Sequence, residues 1–329
     1  MEHRLRGVVV GCGAFSEYHL RAWERIPEVE IVALVDGDPA AAERRRAATA
    51  PEARIYADFD AAIECENLDF ADILSPAAQH MDHCLAAKAA GLHMVCRQPL
   101  CGNLPDARRL VAAMSDYSHV FDLHASHRYG PWFRRVKELH CAGMFGRVAL
   151  LRFDEAHAGE GGSGPSDAGV WLQCGTALVD MMRDLLGEPA GVYSRMHQLD
   201  PRITGESMVH AVYEYPTTTA IVHLAWNQGE PARGAVALEG DGGAASYEAG
   251  TGHGTAARLK ISERGVAILD DERSHNAEYE EGFYAFQREL TKAMLGRTAA
   301  LHGGEDHLKT LECTFAAYRS AAEGLPVGL

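Results

Sequence analysis

The chain's strongest constraint lies at its start. The apolar run 5–10 passes directly into Gly11-Cys12-Gly13-Ala14-Phe15-Ser16, and a helical pattern follows. Two glycines one residue apart at the end of a strand permit a tight turn, and they let backbone N–H groups approach an anion at the helix N-terminus. Gly11 suits the turn and Gly13 the close approach, while Ser16 stands where a third glycine would govern helix-to-strand packing, a mild departure. The anion such a turn fits is the diphosphate of a dinucleotide, held by Gly11, Gly13, Ala14 and Phe15. The next apolar segment ends at Asp36, whose carboxylate suits the ribose hydroxyls of an adenosine and repels a 2'-phosphate, with Asp38 adding to the repulsion. NAD is therefore expected in preference to NADP. Capping of the helix that begins at Pro39 is the competing role, and it suits Asp38 better than Asp36.

Through residue 126 short apolar runs alternate with longer amphipathic stretches, the mark of parallel βα units. Strands are expected at 5–10, 30–35, 70–74, 93–96 and 120–124, with helices at 17–25, 39–48, 79–90 and 105–114. After a helix at 132–141 the pattern turns to strands at 209–215, 220–226, 235–238, 257–262 and 266–269, then helices at 279–295 and 305–322. Val222, Leu224 and Trp226 share one face of their strand, so an antiparallel sheet covered on one side is expected. The fold class is α/β: a doubly wound Rossmann domain over 1–124 and an α+β domain with a large, mainly antiparallel sheet over 125–329. At 329 residues, each domain has length enough to bury its own core.

A net charge of -15 without a basic, aromatic-laced stripe argues against nucleic acid, and Arg44-Arg45-Arg46 reads as a solvated helix face. The first apolar run is too short for a membrane span or a signal segment, so no membrane partner is expected. Eight cysteines scattered without a paired framework suggest reduced thiols in the cytoplasm. His80, His83 and Cys84 have helical spacing that permits shared coordination, but no second matching pair supports a metal, and none is expected.

The glycine loop, Asp36, the segment Ser75-Pro76-Ala77-Ala78-Gln79-His80 and the segment His93-Met94-Val95-Cys96-Arg97-Gln98-Pro99-Leu100 together resemble the glucose-fructose oxidoreductase, inositol dehydrogenase and MocA (GFO/IDH/MocA) family over nearly the whole chain. The resemblance implies a nicotinamide-dependent oxidoreductase with its small polar substrate between the two domains, and a homodimer or homotetramer. It also implies that Ser75, Pro76, His80, Arg97 and Gln98 lie beside the cofactor; local capping by carbonyls is the competing role for His80.

Two departures bear on chemistry. The family's Glu-Lys-Pro is here Arg97-Gln98-Pro99, and its Asp-x-Gly-x-His is here Gln173-Cys174-Gly175-Thr176-Ala177, so the usual lysine and histidine of proton transfer are missing. Asp180 remains three residues on. Gln98 and Gln173 are expected to orient a polar substrate by hydrogen bonding, in a pocket that also takes in Trp171, Ala177, Asp180 and His157. Replacement proton groups are sought in Ser126-His127-Arg128-Tyr129: Tyr129 first, its phenol acidified by Arg128, and His127 second, with linker packing as the competing role. The expected function is an atypical NAD(H)-dependent oxidoreductase acting on a sugar, cyclitol, amino-sugar or imine derivative. A cofactor-binding sensor, an inactive partner subunit or a non-redox enzyme that retains NAD is the alternative.

Overall fold

The computed structural model describes residues 4–157, 168–201, 203–226, 232–250, 255–299 and 301–329. Six short strands open the chain: β1 (Leu5–Val10), β2 (Val29–Val35), β3 (Arg54–Tyr56), β4 (Phe70–Ile73), β5 (His93–Cys96) and β6 (Phe121–Leu123). They pair in parallel in the order β3-β2-β1-β4-β5-β6. Parallel strands need crossovers, supplied here by α1 (Ser16–Glu24), α2 (Pro39–Thr49), α3 (Phe59–Cys65), α4 (His80–Ala89) and α5 (Leu104–Ala113). Local chemistry sets where these helices start. Asp38 caps α2 by accepting from Ala40 N at 2.9 Å with Pro39 in the first turn, and Asn103 caps α5 by accepting from Asp106 N at 2.9 Å. Burial on both faces explains the near-continuous apolar strands; one buried exception, Asp72 on β4, accepts from Trp23 Nε1 at 2.8 Å, with His19 Nδ1 at 2.9 Å.

This parallel sheet anchors one of two compact units, Met1–Ser126 with Phe283–Lys309; the other is His127–Gly282 with Thr310–Leu329. Residues 283–309, expected in the second domain, thus belong to the first unit. Asp122 on β6, fully buried and in need of donors, ties this segment to the sheet by accepting from Leu301 N and His302 N at 2.8 and 2.5 Å.

The second unit begins with α6 (Pro131–Cys141) and β7 (Val148–His157), then α7 (Thr176–Leu186), which ends at Gly187 with φ 84°. There follow β8 (Gly191–His197), β9 (Met208–Glu214), β10 (Thr219–Trp226), β11 (Arg233–Gly240), β12 (Gly243–Ala249), β13 (Ala256–Glu263) and β14 (Val266–Ser274). Two long helices, α8 (His275–Met294) and α9 (Gly304–Glu323), and a short β15 (Val327–Gly328) close the chain. Nine strands form one sheet, β14-β13-β12-β11-β7-β10-β9-β8-β15, antiparallel throughout except between β7 and β10. One register row reads Ser194, Ala211, Val222, Phe153, Val236, Tyr247, Leu259 and faces the core; the adjacent row, Arg195, His210, His223, Asp154, Ala235, faces away. The one-sided cover anticipated from Val222, Leu224 and Trp226 is present, at 0%, 0% and 6% exposure.

Candidate functional site

In an open parallel sheet, ligands bind beyond the carboxyl ends of the strands, where the strand order reverses. Here that point lies between β1 and β4, and the loops after β1, β2, β4 and β5 carry Gly11–Ser16, Asp36, Ser75 and Arg97-Gln98.

Gly11 has φ +104°, and a Cβ there would lie 2.7 Å from the backbone of Leu74, so both conformation and space demand glycine. At Gly13 a Cβ would meet nothing within 4 Å, which leaves that side of the turn open. Among the described residues, the N–H groups of Gly13, Ala14 and Phe15 donate to no protein acceptor, although they precede α1. Three free donors on an open turn at a helix N-terminus fit the diphosphate of a dinucleotide. Ser16 is fully buried and donates from Oγ to Gly13 O at 2.7 Å, so it closes the turn from beneath. Asp36 accepts from Cys12 N at 2.7 Å on one oxygen and from Asp38 N at 2.8 Å on the other, which fixes its plane at the tip of β2. Burial, with Asp36 next to it, pushes the Cys12 thiol up to about 12, so it stays protonated in the loop.

Arg45, expected on a solvated face, instead reaches back from α2: Nη1 donates to Glu17 Oε2 at 2.6 Å and Nε to Gly13 O at 3.3 Å. Only its place in a run of arginines was visible in sequence. The Arg97 guanidinium lies 4.2 Å from the centre of the Phe15 ring, joining the loop after β5 to the glycine turn.

His80 sits among carbonyls, the competing role named for it. It is 1% exposed, with Nε2 2.6 Å from Ser75 O and Nδ1 3.1 and 3.0 Å from Pro99 O and Leu100 O. Burial outweighs these carbonyls and pushes its pKa down to about 4. Both ring nitrogens face carbonyls of the loops after β4 and β5, and the neutral ring, with a single N–H, donates to one of the two sides. Ser75 Oγ pairs with His83 Nδ1 at 2.8 Å, and Pro76 precedes a short 3-10 turn, Ala77–Gln79. Among the described residues no group of three or more His, Cys, Asp or Glu side chains is placed to hold a metal ion.

The second constellation lies within the second unit. Asp180, on α7 and 1% exposed, accepts from Arg128 Nε at 2.7 Å, Arg128 Nη2 at 2.5 Å and Thr310 Oγ1 at 2.9 Å, with His127 Nε2 2.9 Å away. Burial by itself would raise the Asp180 pKa; the hydrogen bonds and charges of His127 and Arg128 overcome it and hold the carboxyl well below its usual range. Asp180 is therefore a permanent carboxylate and a positioning group rather than a proton donor. A carboxylate only accepts, so His127 Nε2 carries the ring proton and Nδ1 keeps its lone pair when the ring is neutral. At 20% side-chain exposure, His127 is open to a solute.

Arg128 also donates to Asp184 at 3.3 Å. Facing two carboxylates, it is not the uncompensated cation that was expected to acidify Tyr129, and the reason for preferring Tyr129 over His127 is lost. Trp171, expected at the substrate, is fully buried and donates from Nε1 to Thr314 O at 3.0 Å as part of the core. Gln173 is half-buried and donates to Ala168 O at 3.2 Å; Ala177, also half-buried, lies one turn before Asp180 on α7. His157 ends β7, 3.6 Å from Glu155, which raises its pKa; the glycine-rich stretch 159–164 beyond it lies outside the described residues. Thr310, which completes the cage around Asp180, carried no signal in sequence because it stands 130 residues away.

All eight cysteines are free, and among the described residues no helix is long and apolar enough to cross a membrane. Residues 5–124 match the model of an oxidoreductase family with an NAD-binding Rossmann fold, GFO/IDH/MocA, and residues 133–246 match the C-terminal domain of the same family. A D-apiose dehydrogenase from Paraburkholderia graminis is 28% identical over 344 residues, covering 99% of this chain and 90% of the relative. An oxidoreductase from Agrobacterium radiobacter, solved with NAD+, L-tartaric acid and magnesium, superposes with a TM-score of 0.86 at 23% identity over 99% of this chain and 98% of the other. The WlbA dehydrogenase from Bordetella pertussis, solved with NADH and UDP-GlcNAcA, gives 0.84 at 21% identity over 100% and 99%. At those identities the likeness is one of fold. With the two family matches together spanning more than half its length, the chain belongs to the GFO/IDH/MocA family of oxidoreductases, and its first part is an NAD-binding Rossmann domain.

Proposed function

We propose that this chain is an atypical NAD(H)-dependent oxidoreductase of a small polar substrate, a sugar, cyclitol, amino-sugar or imine derivative, in which His127 moves the proton and Asp180 positions it. NAD, when bound, supplies the hydride acceptor or donor. The N–H groups of Gly13, Ala14 and Phe15 bind its diphosphate, and Asp36 selects an unphosphorylated ribose. When an alcohol is oxidised, His127 Nδ1 takes the hydroxyl proton as the carbon gives up hydride; in reduction the same nitrogen returns the proton. Asp180 stabilises the imidazolium between these events, and Arg128 with Thr310 holds Asp180 in place, the arrangement of a carboxylate-oriented histidine.

The observation that carries this proposal is the His127–Asp180 contact at 2.9 Å, on the same helix that lacks a histidine at Ala177. The similarity to named dehydrogenases supports the reaction class. Self-association through the outward row of the nine-stranded sheet and a reducing compartment belong to the same proposal.

The test is NADH consumption and NAD+ reduction by wild type and His127→Gln across keto-sugars, cyclitols and cyclic imines. His127→Gln should lower kcat about 100-fold or more with NADH affinity unchanged. Absence of turnover anywhere in the panel, with NADH still bound, would favour the sensor or inactive-subunit alternative.

A further inference from the structure

The loop after β5 carries two side chains that the proton-transfer chemistry above does not use. Gln98 is 9% exposed, its Oε1 is buried without a hydrogen-bond partner, and among the described residues its Nε2 is donated to none. A buried amide oxygen without a donor is costly, and native proteins seldom keep one unless a ligand or water completes it. The two residues that follow the amide are backed by His80, whose Nδ1 lies 3.1 and 3.0 Å from the carbonyl oxygens of Pro99 and Leu100.

Arg97 precedes it, its guanidinium seated over Phe15 at 4.2 Å from the ring centre. Where the family resemblance gives glutamate then lysine, this chain has arginine then glutamine. The first position thus changes from anion to cation, and the second from a cation to a neutral group that both accepts and donates.

We propose that Arg97 and Gln98 form a specificity pair for a substrate that carries a carboxylate beside hydroxylated carbons, with the carboxylate on Arg97 and a hydroxyl donating to Gln98 Oε1. A planar guanidinium matches a carboxylate fork to fork, and an amide oxygen completes a hydroxyl donor without titrating. The positive charge of Arg97 also reaches the buried His80 behind the loop, where it helps to keep that ring neutral. This inference rests on the oxidoreductase proposal above, and it narrows the substrate from polar molecules in general to hydroxy acids of the sugar-acid type. An anionic oxygen at Arg97 has two sources, a substrate carboxylate or the cofactor's own diphosphate; the experiment separates them.

The test is calorimetric titration of the full chain, saturated with NADH, with D-gluconate, D-glucuronate and L-tartrate, each against its neutral amide. At least one carboxylate should bind about 10- to 100-fold more tightly than its amide, the range of a charge-assisted hydrogen bond. Arg97→Gln should bring that ratio to within about threefold, with NADH affinity titrated in parallel, and Gln98→Leu should weaken the carboxylate about 10-fold without changing the ratio. If Arg97→Gln does not fold, as judged by circular dichroism, Arg97→Lys keeps the charge and loses the fork, and the ratio should fall about 3- to 10-fold.

Equal binding of acid and amide, or binding of neither, overturns the proposal. So does an Arg97→Gln that costs NADH 10-fold or more with the ratio intact, which would give the arginine to the cofactor diphosphate. Unchanged affinity in Gln98→Leu removes the hydroxyl contact. Because binding is read apart from turnover, a chain that prefers carboxylates but transfers no hydride sinks the reaction proposal alone, and one that oxidises neutral sugars while ignoring acids sinks this inference alone.

Discussion

Replacing Asp180 by asparagine removes one partner from a buried ion pair and leaves the other in place. Asp180 and Arg128 are 1% and 8% exposed, and the guanidinium meets the carboxylate with two nitrogens at 2.7 and 2.5 Å. Breaking such a pair from one side costs about 3–5 kcal/mol, because the surviving charge stays buried. Arg128 keeps Asp184 at 3.3 Å, but Lys137 already holds that carboxylate at 2.7 Å, which sets the expected loss near the lower end, about 3 kcal/mol. For a unit of this size the melting temperature should fall by about 6–12 °C at pH 7. The effect has a pH signature. The folded Asp180 carboxyl lies below its unfolded value of about 3.9, so its contribution is complete above that pH and is lost as pH falls through the folded pKa. Wild type and Asp180→Asn should therefore begin to converge as pH falls below about 4, and should meet only beneath the folded pKa. Adding Arg128→Met removes the stranded charge and should recover more than half of the loss. Scanning calorimetry of the three proteins at pH 7 and pH 3 decides it: an Asp180→Asn within about 1 °C of wild type at pH 7, or a double variant no more stable than the single, would refute the buried-pair argument.

The glycine turn separates folding from binding. Gly13→Ala meets no protein atom within 4 Å, so its stability should stay within about 0.5 kcal/mol of wild type while the NADH dissociation constant rises about 10- to 100-fold in calorimetric titration. Gly11→Ala, at φ +104° and 2.7 Å from the Leu74 backbone, should instead lose about 2 kcal/mol or more in urea unfolding. His80 gives a second pH dependence: its pKa falls from 6.5 to about 4 on folding, so the unfolded chain binds the extra proton between those values and stability drops as pH falls from 6.5 to 4, by up to about 3 kcal/mol. Urea midpoints at pH 7 and pH 5 should differ more in wild type than in His80→Gln.

The Rossmann half was legible because its signals are local. Residues 5–10 and 93–96 are apolar runs bounded by turn residues and form β1 and β5 as expected, and Asp38 caps α2 as its place before Pro39 implied. Three-residue β3 is too short to show a period, and β12, Gly-Ala-Ala-Ser-Tyr-Glu-Ala, lacks the branched residues that mark strands; pairing with β11 and β13 decides its state. In β7, Arg152, Asp154 and Glu155 interrupt the apolar pattern although Leu151 and Phe153 are buried at the centre of the sheet. The parallel pairing of β7 with β10 was hidden because α7, β8 and β9 intervene, a connection long enough for a crossover. At the proposed site, the turn at Gly11 and the place of Asp36 at the tip of β2 are local features that spacing shows. The place of His80 among three carbonyls and the cage around Asp180 could not be read this way, since each depends on groups brought from distant segments.

Everything rests on the turn after β1 gripping a diphosphate while Asp36 screens the ribose. Titration of the wild-type chain with NADH and NADPH in a calorimeter tests both at once. One site per chain, with NADH about 10-fold or more tighter than NADPH, is the expected result; no heat from either nucleotide, or tighter binding of NADPH, would contradict it.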